Sequence, residues 1–250
     1  MAKNTSLLKI EGTLGELTFY KSQDGFLVKT KGGVSKQRIE NDPAFSRTRE
    51  NGKEFGHIAR SGKVLRDAIR PLLLQAKDTK VTSRVVKVMA AIKNADRTSL
   101  RGERQVYKGM TTDEGKSYLK GFDFNNKAVL GSILYKSISV DPVTGVVELS
   151  QLRPKLEIAA PSGSTHVTLL TAYASIDFLT EESSIAISNT EIISLSEIDP
   201  VDLILTPNAI PSGSGTKMLF FLMSFSQEVN GTLYDLRNGA FNVLNLIEVF

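Results

Sequence analysis

The stretch KMLFFLMSFSQ at residues 217–227 is the most strongly apolar part of this sequence, and it predicts a buried β-strand. Its apolar centre, Met218 to Phe225, is interrupted by Ser224 and is far too short to cross a bilayer, which takes about 20 residues of helix. Asn230-Gly231 follows and is a strong β-turn signal between apolar runs. We therefore predict an antiparallel hairpin here, in a protein that does not span a membrane.

Short apolar runs of this kind fill the chain from residue 122 onward. Turn residues such as Asp141-Pro142 and Gly145 separate them, and short strands at this spacing are typical of an antiparallel β-sandwich. We therefore expect a sandwich over residues 122–250. The predicted strands are Ile133–Val140, Val146–Leu149, Val167–Phe178, Ser184–Ser188, Ile192–Leu195, Val201–Leu205, Lys217–Gln227, Thr232–Asp235 and Ala240–Phe250.

The chain opens with three short predicted strands, Leu7–Ile10, Leu14–Tyr20 and Phe26–Lys31. Asp24-Gly25 lies between the last two and is typical of a hairpin turn. The sequence therefore predicts an N-terminal β-hairpin ahead of the first helix.

A long helix is expected after this hairpin, because Asn41-Asp42-Pro43 supplies a capping side chain and a proline for the first turn. It should end near Arg70, since Pro71 interrupts the hydrogen bonds of a helix. Apolar or small residues recur on it every three or four positions and form one stripe. The stripe consists of Phe55, Ile58, Gly62, Leu65, Ile69 and Leu72. The opposite, basic side is the candidate interaction face, and it consists of Arg49, Lys53, Arg60, Lys63 and Arg70.

Two further helices are predicted before the strands begin. The first covers Ser83–Ala95, with Thr82 or Ser83 as its cap. The second is short, opens at a predicted capping box over residues 111–114 and runs to about Leu119.

Charge is divided by position along the chain. Residues 1–120 hold 25 Lys and Arg against 13 Asp and Glu, whereas residues 121–250 hold 6 against 14, and the overall net charge of +4 hides this division. The hydrophobic periodicity also changes from helix to strand at the same place. The sequence therefore predicts an α+β protein, with a basic hairpin and helical module at 1–121 and an acidic β-sandwich at 122–250.

The opening of the chain also carries a family-like pattern. Its elements are LGELTFYK at 14–21, Asp24-Gly25, KGGVS at 31–35 and DPAFSRTREN at 42–51. This pattern resembles a family of uncharacterised bacterial proteins of similar length, over residues 1–110 closely and over the rest loosely. The resemblance implies no catalytic residue, cofactor or ligand, so it leaves the function open.

The residue types present leave little room for enzyme chemistry. Cysteine is absent and histidine occurs twice, which excludes disulfides, thiolate metal sites and cysteine nucleophiles. Glu54 and His57 have the Glu-x-x-His spacing of di-metal bundle sites, but such sites need a second pair, and Gly163 stands three residues before His166. A surface Glu–His pair is therefore favoured over a metal site.

Two serine-rich loops, 162–164 and 212–215, resemble flexible catalytic loops. A nucleophilic serine needs an oriented base at a strained strand-to-helix turn, and no helix is predicted after either loop. Ordinary turn chemistry is favoured for both. We therefore predict no enzyme activity, no catalytic residue, no metal and no cofactor.

Opposite charges on the two halves favour association between copies, although the halves could also pack within one monomer. We expect a non-enzymatic structural or scaffolding protein that self-associates through its complementary charged halves. The alternative is sequence-nonspecific nucleic-acid binding by the basic half, and the third hypothesis is a β-sandwich that binds a ligand. Additional cations available for phosphates are Lys29, Lys31, Lys36, Arg38, Arg97, Arg101 and Arg104. The first residues lack the apolar run of a signal peptide, so we expect a cytoplasmic protein.

Overall fold

The structure is a computed structural model that describes residues 2–30, 32–76, 78–236 and 241–250. The chain forms two compact units, Met1–Asn51 and Gly52–Phe250. The domain boundary predicted near residue 121 therefore lies inside the second unit. Two predicted strand ends, Lys31 and Ala240, lie outside the described residues.

The N-terminal unit contains a four-stranded antiparallel sheet. Its strands are β1 (Ala2–Lys3), β2 (Gly12–Leu14), β3 (Leu17–Ser22) and β4 (Gly25–Thr30), and they lie in the order β1-β4-β3-β2. The hairpin predicted at Asp24-Gly25 is confirmed, because Ser22 pairs with Gly25 across a two-residue loop. The run predicted as one strand over Leu14–Tyr20 is two strands, since Gly15 takes a positive φ of 56° and starts a turn. No strand forms at Leu7–Ile10.

The helix start predicted around Asp42 is confirmed. The Asp42 carboxylate accepts a hydrogen bond of 2.9 Å from the Ala44 N–H, and Pro43 opens a short 3-10 turn, Pro43–Phe45. The long helix then ends at Ala68, because Pro71 belongs to the first turn of a separate helix. The first three helices are α1 (Lys36–Asn41), α2 (Ser46–Ala68) and α3 (Arg70–Gln75).

The remaining helices of this region pack closely through glycine. A Cβ atom on Gly109 would lie 2.0 Å from the Ile92 carbonyl oxygen, so no larger residue fits there. The short helix predicted to run to about Leu119 is confirmed, but the capping box over residues 111–114 is not formed. Thr112 is the cap, and its hydroxyl accepts a hydrogen bond of 3.0 Å from the Gly115 N–H. The helices are α4 (Val81–Asn94), α5 (Val106–Gly109) and α6 (Asp113–Leu119), followed later by α7 (Leu130–Ile133) and α8 (Pro154–Glu157).

The C-terminal strands form two antiparallel sheets. The larger sheet contains seven strands and the smaller sheet contains three. The strand predicted at Ile133–Val140 is wrong over most of its length, because Ile133 ends a helix, Leu134 forms an isolated bridge with Ile158, and only Ser139–Val140 is a regular strand. The strands are β5 (Phe122–Asp123), β6 (Ser139–Val140), β7 (Val147–Leu152), β8 (His166–Ile176), β9 (Ser183–Ile187), β10 (Glu191–Ser194), β11 (Val201–Leu205), β12 (Thr216–Val229), β13 (Thr232–Asp235) and β14 (Val243–Val249). The larger sheet follows the order β10-β8-β12-β14-β5, with β9 also paired to β8 and β13 to β12, and the smaller sheet follows β11-β7-β6.

Two cores lie on opposite faces of the larger sheet. On one face, Phe220 and its neighbours pack against Leu65 and Met89 of the helices. On the other face, Phe221 and its neighbours share a core with Leu149 of the smaller sheet. The α+β class is confirmed, whereas a separate C-terminal sandwich is not confirmed, because the helices cover one face of the large sheet. None of the described helices is both long and apolar enough to cross a membrane.

Candidate functional site

The candidate interaction face does not form one free basic surface. In the N-terminal unit, Arg49 donates hydrogen bonds to the carbonyl oxygens of Ile39 (2.7 Å) and Asp42 (3.0 Å), so it holds the α1 end in place. In the second unit, Lys53 lies 3.7 Å from Glu103. These two cations therefore have structural partners within their own units.

The other three members differ from one another. Arg60 lies 3.6 Å from Glu181, which belongs to the acidic half of the sequence. Lys63 and Arg70 make no ion pair or hydrogen bond with the described part of the chain, and Arg70 lies on α3 rather than on α2. Opposite charges of the two sequence halves thus meet within one chain at Arg60.

The N-terminal sheet exposes an apolar face. No residue of this unit is buried among those the structure describes. Strand pairing places Leu14 opposite Leu17, and Phe19 opposite Val28, and side chains alternate along a strand, so these four share one face with Phe26. Leu14 remains 68% exposed and Leu17 41%. This face therefore groups apolar side chains as a core-facing sheet surface does, but leaves them accessible to solvent.

This apolar face has a different charge at each end of β3. At one end the Lys9 and Lys21 ammonium groups lie 5.5 Å and 5.9 Å from the centre of the Phe26 ring. At the other end, Glu16 occupies the turn that follows β2. Asp24, in the turn between β3 and β4, also lies at the first end, so that end carries two lysines against one carboxylate. The face therefore has an end with a net positive charge, the basic end, and an acidic end at Glu16.

A second polar site surrounds the buried carboxylate of Glu54 in the second unit. Its oxygens accept hydrogen bonds from the Lys93 ammonium (2.6 Å), the Gly102 N–H (2.8 Å) and two guanidinium nitrogens of Arg104 (2.9 Å and 3.0 Å). Burial raises the pKa of Glu54, but these donors outweigh it and lower that pKa to about 2. Glu54 is therefore ionised and saturated with donors. The surface Glu–His pair predicted from the sequence is wrong for Glu54.

The loop beside Glu54 is organised by Asp96. Its carboxylate accepts hydrogen bonds from the backbone N–H groups of Thr98 (3.0 Å), Ser99 (3.1 Å) and Gln105 (3.0 Å). Burial acts to raise the pKa of Asp96, but the hydrogen bonds from Ser99, Thr98 and Gln105 hold it well below its usual range. A charged Asp96 thereby fixes the shape of the loop that presents Arg104.

His57 lies next to this loop but does not pair with Glu54. Its Nε2 atom accepts a hydrogen bond of 3.0 Å from the Val106 N–H, which leaves the ring proton on Nδ1. Burial first, and the charge of Arg60 second, lower the pKa of His57. The ring is therefore neutral near pH 7.

The two serine-rich loops differ in their contacts. Ser164 donates a hydrogen bond of 2.6 Å to the Pro161 carbonyl, whereas the His166 ring contacts Thr165. The other loop, residues 212–215, lines an open cavity of about 480 Å³ with Asp177 and Glu182. Nowhere in the described ranges do three or more His, Asp or Glu side chains cluster in a way that could hold a metal ion.

Comparison with known proteins gives no relative from which a role could be transferred. No protein-family model matches the chain, and neither the curated proteins nor the solved structures contain a match. Two features of the structure are therefore the candidates for a functional role, namely the apolar face and the Glu54 site.

Proposed function

We propose that this protein is a non-enzymatic structural protein that self-associates, and that the apolar face of the N-terminal sheet forms the contact between copies. The observation that carries the proposal is a four-stranded sheet without a buried residue in its described part. A small sheet becomes stable only when its apolar face packs against another layer. We propose the cytoplasm as its compartment, since a chain without cysteine needs no oxidising environment.

The contact is proposed between faces rather than between edges. The two edge strands, β1 and β2, are only two and three residues long, which makes them poor templates for strand addition. Face-to-face packing of two sheets instead buries apolar side chains, each worth about 1.5–3 kcal/mol when fully buried. A pair of these sheets would form a two-layer β-structure across the contact.

A second copy of this chain is the occupant that the charges favour. In a two-fold contact each surface meets itself, so the two β3 strands can run in opposite directions. The basic end with Lys21 then meets the acidic end with Glu16 of the other copy, at both ends of the contact. The face is therefore complementary to itself.

Self-association through the oppositely charged halves of the sequence is the alternative to association through the apolar face. Two ion pairs join the helical segment to the acidic segment inside the second unit, namely Arg60 with Glu181 and Lys120 with Glu248 at 2.7 Å. These acidic groups are already engaged in one chain, which favours the apolar face as the contact. The salt dependence of the oligomer distinguishes these two modes of association, because screening weakens contacts between exposed charges and leaves apolar burial intact.

Sequence-nonspecific nucleic-acid binding remains the second candidate. Residues 52–120 hold 16 Lys and Arg against 7 Asp and Glu, and Lys63 and Arg70 are free of partners within the described residues. Such binding would contact phosphates and would weaken with salt, with a slope of about −0.9 per phosphate in log affinity against log salt. Duplexes of unrelated sequence should then bind equally.

Light scattering after gel filtration tests the leading proposal. We expect an oligomer that persists from low to high salt, and a monomer for Phe19→Asp, which places a charge in the apolar face. Thr18→Asp is the matched control, because Thr18 lies on the opposite face of the same strand, and it should leave the oligomer intact. A wild-type protein that is monomeric at every concentration, or an oligomer that survives Phe19→Asp, would exclude this contact.

A further inference from the structure

A polar groove adjoins the Glu54 site in the second unit and has no role in the proposed assembly. It has a volume of about 570 Å³, within the range of sites for small molecules. α2 supplies one wall, through Lys53 and His57, and the loop and helix after α4 supply the other, through Leu100, Arg104 and Lys108.

The Arg104 guanidinium is held in one orientation at this groove. Nε and Nη2 donate to the two oxygens of Glu54, and Nη1 donates to the Asn94 side chain at 3.3 Å. Two of its five N–H groups therefore have no partner in the described part of the chain, and its side chain is 26% exposed. Glu54 itself has no free lone pair facing the groove, because four donors saturate it.

Further donors face the same space. Lys108 uses one N–H on the Ser99 hydroxyl at 2.8 Å and keeps two. The His57 ring carries its proton on Nδ1, since Nε2 accepts from Val106, and this N–H has no hydrogen bond within the described ranges. Among the described residues, Lys53 pairs with Glu103 at 3.7 Å, and the exposed Glu103 carboxylate also lines the groove, so Lys53 is a cation that a ligand would share with Glu103. The groove is thus rich in unused donors.

The wider charge favours an anion as well. The groove is lined by three cations, Lys53, Arg104 and Lys108, and by two carboxylates, Glu54 and Glu103, which leaves a net charge of +1. The nearby cations Lys93 and Arg97 are paired with Glu54 and Glu114. Asp96 is occupied by backbone donors and faces its own loop. A cationic concavity of this kind raises the local concentration of anionic ligands.

We infer that this groove binds the phosphate group of a small phosphorylated molecule. A phosphate has three terminal oxygens, which match donors arriving from α2, from the loop and from α5 at once. A planar carboxylate has two oxygens and would leave part of this set unused. Leu100 is 78% exposed beside the donors and offers an apolar contact for the organic part of the ligand. This inference is independent of self-association.

The two histidines allow a direct test by proton NMR on the full-length protein. The probes are inorganic phosphate, pyrophosphate and adenosine monophosphate, each titrated at low ionic strength. We expect saturable shifts of the His57 ring signals with at least one probe, and none for His166, which lies in β8 away from the groove. The double variant Lys53→Ala/Lys108→Ala should weaken the affinity about tenfold or more, because two charge-assisted contacts are lost.

The control variant removes the same charge outside the groove. Lys63→Ala/Lys87→Ala changes two exposed lysines of α2 and α4 and should leave the affinity unchanged. The absence of a saturable His57 shift in the wild-type protein with all three probes would overturn the inference, whatever the variants do. So would equal losses in both double variants, since these indicate only general charge. Shifts caused by duplex DNA and by no small probe would assign the groove to a nucleic-acid backbone instead.

Discussion

The two units of this chain differ in how much apolar surface they bury. The second unit buries large side chains on both faces of its main sheet, and Leu65, Phe220 and Phe221 are fully inaccessible to solvent. The N-terminal unit has regular strand pairing but no buried residue in its described part. Strand hydrogen bonds alone contribute little net free energy, because water satisfies the same groups in the unfolded chain. The second unit contains its own hydrophobic core, whereas the N-terminal unit has an apolar face that no described residue of the unit covers.

Because of this difference, we expect the second unit to determine the stability of the chain and the N-terminal sheet to determine its self-association. Changes in the second unit should alter unfolding without regard to protein concentration. Changes in the N-terminal sheet should alter association and little else. The predictions below test each side of this difference.

The largest effect is expected at Glu54, the buried anion of the second unit. Glu54→Gln leaves Lys93 and Arg104 without their counter-charge and should reduce the free energy of unfolding by about 3–5 kcal/mol. Chemical denaturation measures this loss. Glu103→Gln is the control, because Glu103 is exposed and pairs only loosely with Lys53, and it should change stability by less than about 0.5 kcal/mol.

The same carboxylate predicts how stability depends on pH. The pKa of Glu54 is lowered from 4.5 to about 2, so its contribution is fully present above pH 4.5 and is lost as the pH falls toward 2. The wild-type protein should lose about 3 kcal/mol from this group over that range, and Glu54→Gln should lose none of it. Equal slopes for the two proteins between pH 5 and pH 2 would contradict the assigned ionisation.

A core truncation should have the next largest effect. Leu65→Ala removes a fully buried side chain between the helices and the sheet and should cost about 2–5 kcal/mol. Leu74→Ala is the control, since Leu74 is 67% exposed, and it should be close to neutral. The loss should be the same at low and high protein concentration. A strong concentration dependence would mean that the second unit also depends on a partner.

Local sequence signals predicted those elements that local contacts stabilise. The cap at Asp42, the short helix that follows Thr112 and the hairpin turn before Gly25 each depend on residues within three positions of one another, although the cap of the short helix is Thr112 and not the predicted box over residues 111–114. The long apolar strands were equally visible, since a buried strand needs only a run of apolar residues. In such places the physical cause and the sequence pattern coincide.

The features that the sequence analysis missed depend on distant partners. Glu54 looks like a surface residue until Lys93 and Arg104, 39 and 50 positions away, are brought to it. A helix that ends at Ile133 precedes the expected strand Ile133–Val140, and the Asp123 carboxylate supports the start of that helix by accepting a hydrogen bond of 3.0 Å from the Leu130 N–H. A basic cluster spaced between two helices was the available signal for the groove, but spacing alone does not show which cations already have partners.

The N-terminal sheet should show a third, more local effect in hydrogen exchange. Amides paired between β3 and β4 should exchange faster as the protein is diluted, because dissociation removes the layer that covers the apolar face. Amides paired between β8 and β12 should stay protected at every concentration. Equal protection of both hairpins after dilution would indicate that the N-terminal sheet is stable without a partner.

The smallest effect is expected at the ion pair of Arg60 and Glu181, and it decides between the two versions of assembly. Both side chains are largely exposed, at 72% and 47%, so a double-mutant cycle with Arg60→Ala and Glu181→Ala should give a coupling of about 0.2–1 kcal/mol that falls with salt. Charge reversal, Arg60→Glu, should leave the oligomer intact because the pair lies within one chain. If instead the reversal dissociates the oligomer and Glu181→Lys restores it, the charged halves join different copies. The apolar face would then lose its role as the main contact, and the N-terminal sheet would need another partner.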